Sequence, residues 1–165
     1  MNRAFVIILC LIIPFLWIGT RTIKSIQYNQ NCGGYLKRAA DSNTVDQAKE
    51  QLKIAITYME NNNLTSGYTS VLWKTPDEDV GFWYKNIKTA YDELEKISPD
   101  ASQLEKTNVL MKLRETLLDN GESGTIVTEP DGISVFPNNV AFAIFGTISL
   151  ILLLPILIVP SMSLL

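Results

Sequence analysis

Few residues in this chain have the type and spacing that chemistry needs. None of its 165 residues is histidine. That removes a Ser–His–Asp triad, an HExxH zinc site, a CxxCH haem attachment and any histidine proton relay. Asp77, Glu78 and Asp79 lie together, but no loop of alternating oxygen ligands with a glycine surrounds them, so the EF-hand pattern is absent. Three acids at that point more simply complement the positive end of a helix. Asp92, Glu93 and Glu95 with Lys88 and Lys96 offer i,i+4 contacts on a solvated face. Cys10 stands inside an apolar run and reads as a small apolar residue. Cys32, beside Gly33 and Gly34, reads as a free structural thiol or, in an oxidising compartment, as an intermolecular disulfide between two chains. No catalytic constellation, metal site or cofactor site is expected, and the chain reads as non-enzymatic.

The aromatic residues are the other candidates. Tyr68, Trp73, Phe82, Trp83, Tyr84 and Tyr91 fall close together, and Phe82, Trp83 and Tyr84 are consecutive. One helix cannot bury three consecutive rings on a single narrow face. Either the loop carrying Tyr68 and Trp73 folds over the helix and the group is core, or some rings stay outside. In the second case Tyr68, Trp73, Phe82 and Tyr84 form a partner-binding surface of amphipathic rings.

The elements that must position these residues follow from periodicity. Thr44 and Gln47 have capping-box spacing, and Val45, Ala48, Leu52, Ala55 and Met59 then recur at intervals of three and four, one apolar stripe of a helix. Asn61-Asn62-Asn63 ends it, and Leu64–Lys74 reads as a loop. Thr75-Pro76-Asp77-Glu78 is a helix start with a capping hydroxyl, proline in the first turn and acids at the dipole's positive end. It leads the stripe Val80, Trp83, Ile87, Ala90, Leu94 and Ile97. Ser98-Pro99-Asp100 repeats the signal before a helix that buries Leu104, Leu110, Met111, Leu117 and Leu118 and stops at Asn120-Gly121. Thr125–Thr128 and Ile133–Phe136 flank Glu129-Pro130-Asp131-Gly132, which suits a type I turn and predicts a β-hairpin.

The two ends differ from this polar middle. Ala4–Gly19 and Val140–Val159 carry no charged residue, and the segment between them holds all 17 acids and every Lys or Arg except Arg3. The second run is long enough for a transmembrane helix, and Gly146, Thr147 and Ser149 within it could form a small-residue packing face. The first reads as a retained anchor near the lower length limit. A cleaved signal peptide fits less well, because Trp17 and Ile18 spoil the small-residue cleavage pattern. Helix formation past Ile23 is expected to break at Cys32-Gly33-Gly34. Asn63-Leu64-Thr65 matches a glycosylation acceptor, a tripeptide common by chance.

Together these features predict a mostly α chain. Residues 1–21 and 138–165 are transmembrane helices, flanking a helical hairpin or three-helix bundle over 22–137 with a short β-hairpin before the second anchor. The expected localisation is integral, with two spans and the domain extracytoplasmic. The expected partners are the lipid bilayer and a protein partner or a second copy of the chain. An acidic domain with scattered bases excludes a nucleic-acid footprint. The function expected is that of an accessory or scaffold protein whose helical domain docks on a larger complex. Two anchors around a helical bundle also resemble, in topology, the extracytoplasmic half of a four-helix-bundle chemoreceptor, which implies a sensor or ligand-binding ectodomain. An oligomeric pore fits less well, since neither apolar run carries a charged side chain to line a polar path.

Overall fold

A computed structural model describes residues 3–71, 74–121 and 124–162, and the side-chain surroundings of residues 8, 10–71, 74–121 and 124–153. It contains α1 (Arg3–Tyr28), α2 (Gly34–Ala40), α3 (Val45–Asn61), α4 (Val80–Lys96), α5 (Gln103–Leu117), β1 (Leu118–Gly121), β2 (Gly124–Val127) and α6 (Val140–Met162). The described residues are thus mostly helical, as the periodicities imply, with a small two-stranded antiparallel sheet.

The glycine pair does not break the first helix. Asn29–Gly33 forms a π-helical turn that joins α1 to α2, and the Gly34 N–H donates to the Asn29 carbonyl five residues back. A Cβ on residue 34 would lie 2.8 Å from that carbonyl oxygen, so this wide turn needs glycine where the backbone closes on itself. Helix thus persists through the site where two glycines predicted an interruption, because the segment is packed: Cys32, Leu36 and Ala39 are completely buried.

Four helices, α2 to α5, make a ring in which α2 packs on α3 and α5, and α4 packs on α3 and α5. The predicted stripe of α3 lies wholly on its buried face: Val45, Ala48, Leu52, Ala55 and Met59. Thr44 caps it, its Oγ1 accepting from the Gln47 N–H at 3.3 Å. Two helix starts are displaced from their signals. Pro76–Glu78 forms only a 3₁₀ turn, in which the Thr75 N–H donates to Glu78 Oε2, and Asp79 becomes the cap of α4 by accepting from the Phe82 N–H. Ser98-Pro99-Asp100 forms a turn, and Ser102 caps α5 through the Glu105 N–H. In α5 the buried residues are Leu113 and Leu117, while Leu104 and Met111 are exposed. The ring closes on the C-terminal half of that helix, so the residues near its start have nothing to pack against.

The hairpin differs in register from the one expected. β2 pairs backwards with β1, Leu118 opposite Val127 and Gly121 opposite Gly124. Residues 131–135 are a run of turns, with Ile133 and Val135 buried. The Asn120-Gly121 pair thus works as a strand end rather than a simple helix stop.

The expectation of two transmembrane spans is corrected. Among the described residues no helix is long and apolar enough to cross a membrane. Ahead of Arg21, the described side chains of α1 run from Ile8 to Thr20, about 20 Å of helix. Those of α6 run from Val140 to Leu153, about 21 Å. A hydrocarbon core is ~30 Å thick. The remainder of each uncharged run lies outside the residues whose side chains are described. Counting uncharged residues also overlooks that these runs pack on each other. Trp17 stacks on Phe142 with ring centroids 5.6 Å apart, and its Nε1 donates to the Phe142 carbonyl at 3.1 Å. Gly146 makes room for the indole, since a Cβ there would stand 2.6 Å from it. Ser149 is buried as well, whereas Thr147 is exposed and bonded to its own helix.

Burial predicts the cost of truncation. Leu52→Ala or Met59→Ala should destabilise the fold by about 2–5 kcal/mol. Leu104→Ala, at the open end of α5, should stay within about 0.5 kcal/mol of the parent. Urea denaturation followed by circular dichroism measures both, and an equal loss at all three positions would contradict this packing.

Candidate functional site

Tyr68, Phe82 and Tyr84 of the aromatic candidates have different surroundings. Tyr84 is half-buried between α3 and α4, its hydroxyl donating to Glu60 Oε1 at 2.7 Å, and burial with that contact pushes its pKa up to about 12. Tyr68 lies in the loop, its ring under Lys74 Nζ at 5.4 Å and its backbone bridged to Asp79. Phe82 is exposed to 64% and faces away from the core that holds Trp83. Trp73 lies outside the described residues. Trp83 is a core residue that also joins two elements, since its Nε1 donates to the Thr128 carbonyl at 2.7 Å and ties α4 to the chain leaving β2.

Cys32 is fully buried, with Sγ 4.0 Å from the Ala55 carbonyl, and burial pushes its thiol up to about 12. A thiol so placed is rarely ionised and is a poor nucleophile. A disulfide to a second chain needs sulfur at the surface, and here the surrounding helices enclose it.

Beside it stands a contact that no local pattern could announce. The Tyr28 hydroxyl donates to Glu129 Oε2 at 2.9 Å across 101 positions of sequence. This bond fastens the segment after β2 to the end of α1, next to a cavity of about 150 Å³ that Arg21 and Ser25 also line. Burial raises the Tyr28 phenol far above its usual range. Glu129 is largely open to solvent as a residue, but the carboxyl end that meets Tyr28 is turned inward. Burial raises its pKa, Tyr28 opposes this, and the Asp131 carboxylate adds to the rise. Among the described residues no group of three or more Cys, Asp or Glu side chains could hold a metal ion.

The most extensive feature is apolar. On α1, Ile8, Ile12, Phe15, Leu16, Ile18, Ile23 and Ile26 are exposed, and on α6 Val140, Ile144, Ile148, Leu150 and Ile151 are exposed. Val140, Ile144, Ile148 and Ile151 recur at helical spacing, as do Ile8, Ile12 and Phe15. Each helix therefore buries one side on the other and leaves an apolar stripe uncovered. Contiguous exposure of this kind marks interaction surfaces in folded proteins. The composition of the runs signalled it, but the division into a paired side and a free side needed the tertiary contact at Gly146.

The architecture defines a helical-bundle protein with a paired apolar helical extension. No protein-family model, curated protein or solved structure matches the chain.

The Glu129 contact has a signed pH dependence. In the folded chain the carboxyl holds its proton to higher pH than in the unfolded chain, where glutamate titrates near ~4.3. Its contribution to stability is therefore present below the unfolded value and is lost as pH rises through the folded one. Glu129→Gln keeps an acceptor for Tyr28 without the charge. Its urea midpoint should exceed the parent's at about pH 7, and the gain should vanish at about pH 3.5. A gain of the same size at both pH values would exclude the charge as its cause.

Proposed function

We propose that this chain is a non-enzymatic accessory protein that docks on a larger protein partner, the free stripes of α1 and α6 being the part the partner buries. The observation that carries this reading is the uncovered row of large apolar side chains along both helices. Leaving such side chains in water costs roughly 25 cal/mol per Å² of apolar surface, so a surface that covers them is strongly favoured. The occupant is an apolar helical face of another protein. Charge supports protein over an anionic lipid surface. The segment between the two apolar runs holds 17 acids against 13 bases, all 14 Lys and Arg but Arg3, a formal charge of −4. Anionic headgroups repel such a segment, whereas they attract basic ones. Pairing of α1 with α6 through Trp17 and Gly146 also presents the stripes as one preformed element, so little ordering remains to be done on binding.

The test is a photo-crosslinking residue placed at Ile144 of the tagged full-length chain, purified in mild detergent, with another at Asn61 as control. The Ile144 probe should link to one identified protein in stoichiometric yield, and Ile144→Ser/Ile148→Ser should abolish its co-purification while leaving the helical circular dichroism signal unchanged. Crosslinks to lipid alone, with flotation on neutral liposomes in the absence of other protein, would overturn the reading in favour of a lipid surface. Crosslinks only to a second copy would replace it with self-association.

A further inference from the structure

A second surface lies beside the hairpin and stands whether or not the α1 and α6 stripes dock. Between the first turn of α4 and the chain leaving β2 runs an open groove of about 320 Å³. Phe82, Trp83, Pro76 and Pro130 give it apolar walls, and Asp77, Asp79, Asp119 and Glu129 stand along it with no basic residue among the lining side chains. Its shape is held from both sides. Trp83 Nε1 donates to the Thr128 carbonyl, and the Thr128 N–H donates to the Leu117 carbonyl at 2.8 Å. One wall is thereby pinned to α4 and to the end of α5.

We infer that this groove docks a basic peptide segment of a partner protein, seating an arginine or lysine side chain against Phe82 with its charge among the carboxylates. Charge complementarity carries the inference. No ion pair among the described residues involves any of these four carboxylates, although Asp41, Asp46, Asp92 and Glu93 elsewhere in the bundle each have a basic partner. Asp79 spends one oxygen on the cap of α4, Glu129 one on Tyr28, and Asp119 one on the Asn120 N–H, which orients all three. Phe82 is the second reason. An aromatic ring left 64% exposed beside carboxylates offers its face to a cation and its area to the methylene stem behind it. The volume favours a side chain over a free organic ligand, since it lies at the bottom of the range for small-molecule pockets, about 300–1,000 Å³. Metal is not the occupant this geometry selects, because the carboxylates do not converge on one point among the described residues.

The probe is a fluorescein-labelled peptide of alternating arginine and leucine, titrated with the full-length chain and read by anisotropy. Saturable binding should weaken as salt is raised, and a peptide with glutamate for arginine should not bind. Asp77→Asn/Asp119→Asn, both at exposed positions with the caps of α4 intact, should weaken binding about tenfold or more, which is ~1.4 kcal/mol. Phe82→Ala should weaken it as well. The control Asp46→Asn/Glu115→Gln removes the same charge elsewhere and should bind like the parent. Equal weakening by the control pair would reduce the effect to net charge and overturn the groove. So would unchanged binding by the groove pair, or no saturable binding at low salt.

Discussion

The structure depends on the close contact between the α1–α2 junction and α3. Cys32, Leu36 and Ala39 on one side meet Ala48, Leu52, Ala55 and Met59 on the other, all completely buried. Small side chains at Cys32, Ala39, Ala48 and Ala55 let two helical backbones approach until sulfur and carbonyl are in contact. A π-helical turn is what keeps the junction helical while redirecting it, and only glycine fits where that turn closes. Because α1 runs without a break into the packed α2, the apolar extension is a rigid projection of the bundle rather than a tethered tail.

Two long-range ties complete the frame from the other end of the chain. Tyr28 to Glu129 and Trp83 to Thr128 both seize the short segment after β2, a stretch too small to fold by itself. Two strands of four residues are marginal alone in water. Their order comes from α5, which they continue, and from these two side-chain bonds. The same ties bring Pro130 and Asp119 opposite Phe82, so the groove is a by-product of how the hairpin is fastened. The proposed docking surfaces thus share a logic: rigid elements are positioned by the core, and side chains the core does not use are left facing outward.

Local signals in the sequence hold where the local physics is strong. The α3 stripe, the Thr44 cap, the α4 stripe and the break near Ser98 all survive, because burial of a periodic face and satisfaction of end groups are decided within a few turns. Start signals are displaced where two compete. Thr75 and Ser98 each precede a proline, but Asp79 and Ser102 cap the helices that actually grow, by accepting from the Phe82 and Glu105 N–H groups; Asp79 stands directly before Val80, the first buried residue of α4. The hairpin departs from its turn signal as well: Leu118–Gly121 directly continues α5 and is the strand with which β2 pairs, while β2 rests on α2.

The candidate sites are less legible. The aromatic cluster is visible as composition, but which ring is core and which is free depends on the tie from Trp83 to a carbonyl 45 positions away. The uncharged ends are visible as runs of sequence, yet their lateral pairing through Trp17 and Gly146 is not, because contact between helices 125 positions apart leaves no local trace. The sequence by itself determined the helical class, the main stripes and caps, and the absence of histidine chemistry, since each of these rests on residue type or short spacing. Only the tertiary structure decided the continuity through Gly33-Gly34, the hairpin register, the burial of Cys32 and which apolar faces remain free. Those outcomes turn on which surfaces meet, and that is settled by competition for burial across the whole chain.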